Sequence, residues 1–149
     1  MKKARYKVLV TGIIVAAVLA ALLLYFRPMK ISDLINENQE IHIIQIEMGI
    51  QDGEPYMDNE NYCDLTKEQR EDIIDLFQQY TYRRTPGTAF SDGSLSGISD
   101  RIIHLYAYDD GELLYTIFIT DTNGLSINES SYVLRDSSGL IQEILTVIE

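Results

Sequence analysis

Cysteine occurs once in the 149 residues, tryptophan never, proline three times and histidine twice. A single thiol, Cys63, excludes an intramolecular disulfide framework, so any folded part relies on packing unless that thiol pairs with a second chain. His42, Cys63 and His104 are too few and too scattered to give the ligand spacing of a zinc site. Positive charge is scarce beyond the first thirty residues. From Ile31 onward only Lys67, Arg70, Arg83, Arg84, Arg101 and Arg135 stand against all twenty-three acids, a net charge of −17. Such a balance repels phosphate backbones and argues against nucleic acid as a ligand. Cations, a basic partner or a cationic peptide are electrostatically admissible, although solubility is the plainer reading.

What the sequence does have is one long apolar run, Val8 to Phe26, in which Thr11 is the only clearly polar member. At helical rise it extends roughly 28 Å, close to the thickness of a hydrocarbon core. Lys2, Lys3, Arg5 and Lys7 precede it without an acid, and Arg27 and Lys30 follow. The heavier basic load favours a cytoplasmic N-terminus, which places the remainder outside. Tyr6 before the run and Tyr25 and Phe26 at its close suit the headgroup level. A cleaved signal sequence is the competing reading, but its apolar middle is about 7 to 15 residues long and ends at small residues. Here Ala16 to Ala21 continue into Leu22, Leu23, Leu24, Tyr25 and Phe26, so a retained signal-anchor, a single transmembrane helix, is expected. No cysteine follows the run to carry a lipid.

The expected organisation is a basic start, transmembrane helix and spacer over 1–30, and an extracytoplasmic domain over 31–149, of ordinary single-domain size. Ser32 is placed to cap a short helix ahead of Leu34 and Ile35. "EIHIIQIEMG" reads as a strand with His42, Ile44, Ile46 and Met48 on one face and Ile41, Ile43, Gln45 and Glu47 on the other. Ile50 to Cys63, rich in Asp, Asn, Glu, Gly and Pro, reads as an exposed loop. "LTKEQREDIIDLFQQY" has a capping box in Thr66 and Gln69 and an apolar stripe of Ile73, Leu76, Phe77 and Tyr80. "TYRRT" is short and β-prone, and "TAFSDGSLSG" reads as a loop.

Asp110-Gly111 and Asn123-Gly124 are hairpin signals that divide the last third into three antiparallel strands. A two-residue turn at Asp110-Gly111 pairs Tyr108 with Leu113, Tyr106 with Tyr115, His104 with Ile117 and Ile102 with Ile119. One face is then rich in tyrosine, while Ile103, Leu105, Ala107, Leu114 and Phe118, joined by Ile127 and Val133, give the aliphatic face that helices should cover. "SSGLIQEILTVIE" closes the chain as a helix capped by Asp136 or Ser137. The predicted fold class is α+β: an antiparallel sheet of about four strands with two main helices on one face.

No constellation fixes a reaction. "GSLSG" at Gly93 to Gly97 has Leu95 where a nucleophile elbow needs serine. Asp109, Asp110 and Glu112, and Asp121 with Asn123, are fragments of a calcium loop without its closing glutamate, and turn chemistry explains both. Asn128-Glu129-Ser130 fits a glycosylation triplet. Arg83 and Arg84 should point to opposite sides, one of them toward the acidic helix before them. The strongest surface candidate is the row His104, Tyr106 and Tyr108 with cross-strand Tyr115 and Tyr132, because tyrosine gives rigid contact area with a polar tip. The alternative is that these rings only cover the sheet.

With "ISDL", "IHIIQIEM", "LTKEQREDIIDLF", "YTIFIT" and "YVLRD" behind a basic start and an apolar run, the sequence resembles small single-pass or lipid-anchored cell-envelope proteins of low-GC Gram-positive bacteria with an uncharacterised extracytoplasmic domain. The resemblance implies an envelope location and carries no catalytic motif, metal or cofactor. The expected function is a membrane-anchored binding or interaction module for a protein or cell-wall partner, held to the membrane via residues 8–26. The alternatives are an envelope hydrolase using Cys63 or a serine with His104, and an immunity-type protein that binds a basic toxin or peptide.

Overall fold

The computed structural model describes residues 2–90 and 99–149, with side chains from Val10 onward. The chain runs α1 (Lys2–Tyr25), β1 (Met29–Lys30), a 3-10 turn (Ile31–Asp33), β2 (Glu40–Gln51), β3 (Glu54–Tyr62), α2 (Lys67–Phe77) and β4 (Thr81–Arg83). It continues through β5 (Arg101–Asp109), β6 (Glu112–Thr120), β7 (Gly124–Ile127), β8 (Ser130–Leu134) and α3 (Ser137–Ile148). The "GSLSG" segment lies outside the described residues.

The eight strands form one antiparallel sheet in the order β1-β4-β8-β7-β6-β5-β2-β3. This corrects the expected sheet of about four strands: the α+β class stands, but the sheet is twice as wide. One of the four additional strands is β3. Asp52 and Gly53, at φ 55° and 86°, make a tight turn that folds Glu54–Tyr62 back along β2 from Gln51↔Glu54 to Ile43↔Tyr62. The polar composition of that stretch suits an edge strand whose side chains are almost all exposed. The others are β1 and β4, which pair with each other and attach to β8, and the strand gained where the Asn128-Glu129 turn divides the last expected strand into β7 and β8.

The expected transmembrane helix is corrected as well. Among the described residues no helix is long and apolar enough to cross a membrane. The helix concerned is α1, which runs from Lys2 to Tyr25. Its apolar side chains are unpartnered: Ile13, Val18, Leu19, Leu23 and Leu24 are all exposed.

One face of the sheet is covered by α2 and α3. Ile41 and Ile43 of β2, Ile103 and Leu105 of β5, Ile117 and Ile119 of β6 and Leu125 of β7 meet Phe77 and Ile73 of α2 and Leu140, Ile141 and Ile144 of α3 in a single core. The capping box of α2 forms as its sequence predicts: Gln69 N–H donates to Thr66 Oγ1 at 3.1 Å, and Thr66 N–H donates to Gln69 Oε1 at 3.0 Å. The amide of Gln69 also donates to the Val147 and Ile148 carbonyls at 3.2 and 3.4 Å. One side chain thus satisfies the start of α2 and the end of α3, groups that helices otherwise leave open.

Asp136 occupies the cap position of α3 but makes no side-chain capping bond, its backbone being left-handed at φ 61°. Asn123, from the turn between β6 and β7, takes over: Ser137 N–H donates to Asn123 Oδ1 at 3.0 Å, and Asn123 N–H donates to Ser137 Oγ at 2.6 Å. Ser32 lies within the 3-10 turn and caps no helix, since the position before that turn is Lys30.

Candidate functional site

Paired residues share a face of a sheet, so the registers decide which side chains the helices leave uncovered. Tyr108 pairs with Leu113, as the Asp110-Gly111 turn requires, but the ladder shifts between Ala107 and Tyr108. Leu114 is the extra residue, and from there Ala107 meets Tyr115, Tyr106 meets Thr116 and His104 meets Phe118. The expected register, with Tyr106 opposite Tyr115 and His104 opposite Ile117, is therefore corrected by one residue. A bulge of this kind turns every later side chain of the strand over. Ile117 and Ile119 enter the core and Phe118 leaves it. Asn128 braces the bulge: Thr116 N–H donates to its Oδ1 at 2.9 Å, and its amide donates to the Leu114 carbonyl at 3.2 Å. With Glu129 it forms a turn at φ 45° and 65°, the structural role of the Asn128-Glu129-Ser130 triplet.

The expected tyrosine row divides accordingly. His104, Tyr106 and Tyr108 stay together on the helix-free face, joined by Phe118. The His104 ring lies 4.2 Å from that of Phe118, Tyr106 stands edge-on to Phe118 at 6.4 Å, and His42 meets Tyr108 at 4.9 Å. His42 is further held by Glu40 at 2.8 Å. Tyr115 and Tyr132 face the helix side and pack against the core. Tyr132 stands edge-on to Tyr82 at 5.0 Å, and its hydroxyl accepts from Arg84 Nη2 at 3.1 Å. Arg84 therefore stacks on tyrosine and does not reach the acidic helix.

Ile44 and Ile46 on β2 and Ile102 on β5 extend the aromatic cluster into a half-buried apolar band. Beyond it the β2–β3 hairpin projects past β5, with Ile50 78 % and Met57 68 % exposed. There Met48, Ile50, Met57 and Ile102, together with the acids Glu47 and Asp100, line a cleft of about 1040 Å³. The strands divide their charges between the two faces. By register, Glu47, Glu54, Asp58 and Glu60 project to the helix side, as do Asp109 and Glu112, whereas Asn59, Asn61 and Met57 project to the helix-free side. Glu40 is the one strand acid on the helix-free face. Lys30, Arg83 and the following Arg135 lie at its β1–β4–β8 border.

Burial lowers the pKa of His104 from its ordinary value. Its contacts are the rings of Phe118 and Tyr106, and Cys63 is exposed beyond the end of β3. Among the described residues no hydrogen bond links His104 to a serine or to Cys63, so the arrangement offers a contact surface and not an activated nucleophile. Asn123 is engaged at the start of α3 and Asp121 accepts from Ser99 Oγ at 2.6 Å, which gives that calcium-loop fragment structural duties, while in the other Asp110 turns at φ 49° between paired Asp109 and Glu112. Among the described residues no three His, Cys, Asp or Glu gather in a way that could hold a metal ion. Nothing matched in comparisons with protein-family models, curated proteins and solved structures.

Proposed function

We propose that the protein is a membrane-attached binding module of the cell envelope. Residues 8–26 embed in the apolar layer of a bilayer, and the helix-free face, on the extracytoplasmic side, meets a protein partner. The observation that carries this reading is the division of the sheet: an uncovered band of Ile44, Ile46, Ile102, Tyr106 and Phe118 on a face from which all but one strand acid is excluded. A large exposed apolar patch rimmed by polar residues is characteristic of interaction sites. Tyrosine and methionine are enriched in the buried centres of such interfaces. The partner it suits has an apolar contact surface that is neutral or acidic around it. A basic toxin or peptide would be drawn to the opposite, acid-bearing side, which makes the immunity-type reading the weaker one.

The test is photocrosslinking in the native cell from a probe at Tyr106, with a probe at Glu71 on α2 as control. A partner captured from Tyr106 and not from Glu71, and lost in Ile46→Asp, is the expected result. Equal capture from both positions, or capture unaffected by Ile46→Asp, would overturn the choice of face. Membrane pelleting that survives alkaline carbonate is expected of the full chain and lost on removal of residues 8–26.

A further inference from the structure

The cations of this acidic chain are not scattered. Arg27 precedes β1 and Lys30 ends it, Arg83 and Arg84 stand at the end of β4, and Arg135 follows β8, so five of them lie along the one sheet edge that α1 enters. Arg83 and Arg135 line one hollow there, with Pro28, Thr81 and Val133, of about 390 Å³. Arg27, Lys30, Arg83 and Arg135 are exposed. Among the described residues the ion pairs are His42–Glu40 and Lys67–Glu71, so none of the five pairs with a described acid. In a chain where acids outnumber bases twenty-three to twelve, an edge whose cations pair with no described acid keeps that charge available.

The same edge carries aromatic rings, among them exposed Tyr25 and half-buried Phe26. Tyr25 and Phe26 stack edge-to-face at 5.1 Å at the end of α1, and Arg84 lies over Tyr25 at 4.6 Å and over Tyr132 at 5.1 Å. Arg84 thereby clasps the end of the helix to the sheet. Phe26 to Pro28 alone separate α1 from β1, a reach of about 10 Å.

We propose that this edge is a second membrane contact, binding the anionic headgroups of the bilayer that holds α1. It rests on the membrane attachment proposed above. Cations within a Debye length of an anionic surface are attracted to it, and aromatic rings settle at the headgroup level. Asp33 and Asp136 adjoin this edge, but the strand acids other than Glu40 lie on the helix side, so docking by the Arg83–Arg135 hollow turns most of the acids from the lipid. The domain is then held by its sheet edge as well as by its tether, with the aromatic end of the helix-free face at a fixed height.

The test uses the full chain with Cys63→Ser and Val133→Cys, the new thiol carrying an environment-sensitive dye between Arg83 and Arg135. It is reconstituted into phosphatidylcholine vesicles with and without phosphatidylglycerol, each doped with a headgroup-level quencher. Quenching should be greater with the anionic lipid and fall in high salt. Arg83→Gln and Arg135→Gln, both exposed, should each weaken docking about fivefold with unchanged circular dichroism. A chain that incorporates but shows no dependence on lipid charge or salt overturns the second contact and leaves the tether standing. A chain that fails to incorporate overturns both.

Discussion

At the residue scale, His104 is the group whose chemistry the fold alters most usefully. Burial lowers its pKa, so between that lowered value and about 6.5 the unfolded chain binds a proton that the folded chain refuses. Stability from this source is complete above about pH 6.5 and declines as acid is added. His104→Phe, beside Phe118, should flatten the fall of the urea midpoint between about pH 7 and 5; an unchanged slope would remove His104 as its cause. Tyr82 is the alkaline counterpart. Burial first, then Tyr132 beside it, push its hydroxyl up to about 12. The stability it contributes is present below about pH 10 and lost as pH rises toward the folded value. Tyr82→Phe should make the alkaline decline shallower in the same titration. Gln69 acts on two helices at once, and Gln69→Ala should cost about 1–2 kcal/mol in chemical unfolding.

At the scale of elements, α2 was legible down to its capping box, because Thr66, Gln69 and the apolar stripe all point to one helix. Strand β2 was legible too, its two faces falling as the alternation of Ile41, Ile43 against Ile44, Ile46 requires. The β2–β3 hairpin was missed although Asp52-Gly53 has the chemistry of a tight turn, since β3 carries polar side chains on both faces and alternation cannot show there. Nor does sequence show the bulge at Leu114: neighbouring Leu, Tyr, Thr, Ile and Phe fit either register, and only the brace from Asn128 chooses between them. That missing step is why Tyr115 was grouped with His104, Tyr106 and Tyr108, whereas Tyr132 changes face because the Asn128-Glu129 turn divides the last expected strand into β7 and β8. Asn128→Ala should leave the Leu114 carbonyl and the Thr116 N–H without their side-chain partner, loosening β6 at its start. Hydrogen exchange of the Leu114–Thr116 amides should speed up while those of α3 stay protected.

At the scale of the whole molecule, the folded unit begins before Ile31. Met29 and Lys30 pair with Tyr82 and Thr81, closing the edge of the sheet. A chain beginning at residue 27 should therefore melt several degrees above one beginning at residue 31, since about 1 kcal/mol shifts the melting temperature of a domain this size by roughly 4 °C. Equal melting temperatures would mean that β1 contributes nothing to the edge. The split of charge between the two sides of the sheet has a consequence for approach as well as for contact. Acids on one side and arginines without a described acidic partner on the opposite border give the molecule a permanent transverse dipole. In the field above any polyanionic layer that dipole is a torque, so the domain arrives already rotated, its acidic back outward, before a single atom touches.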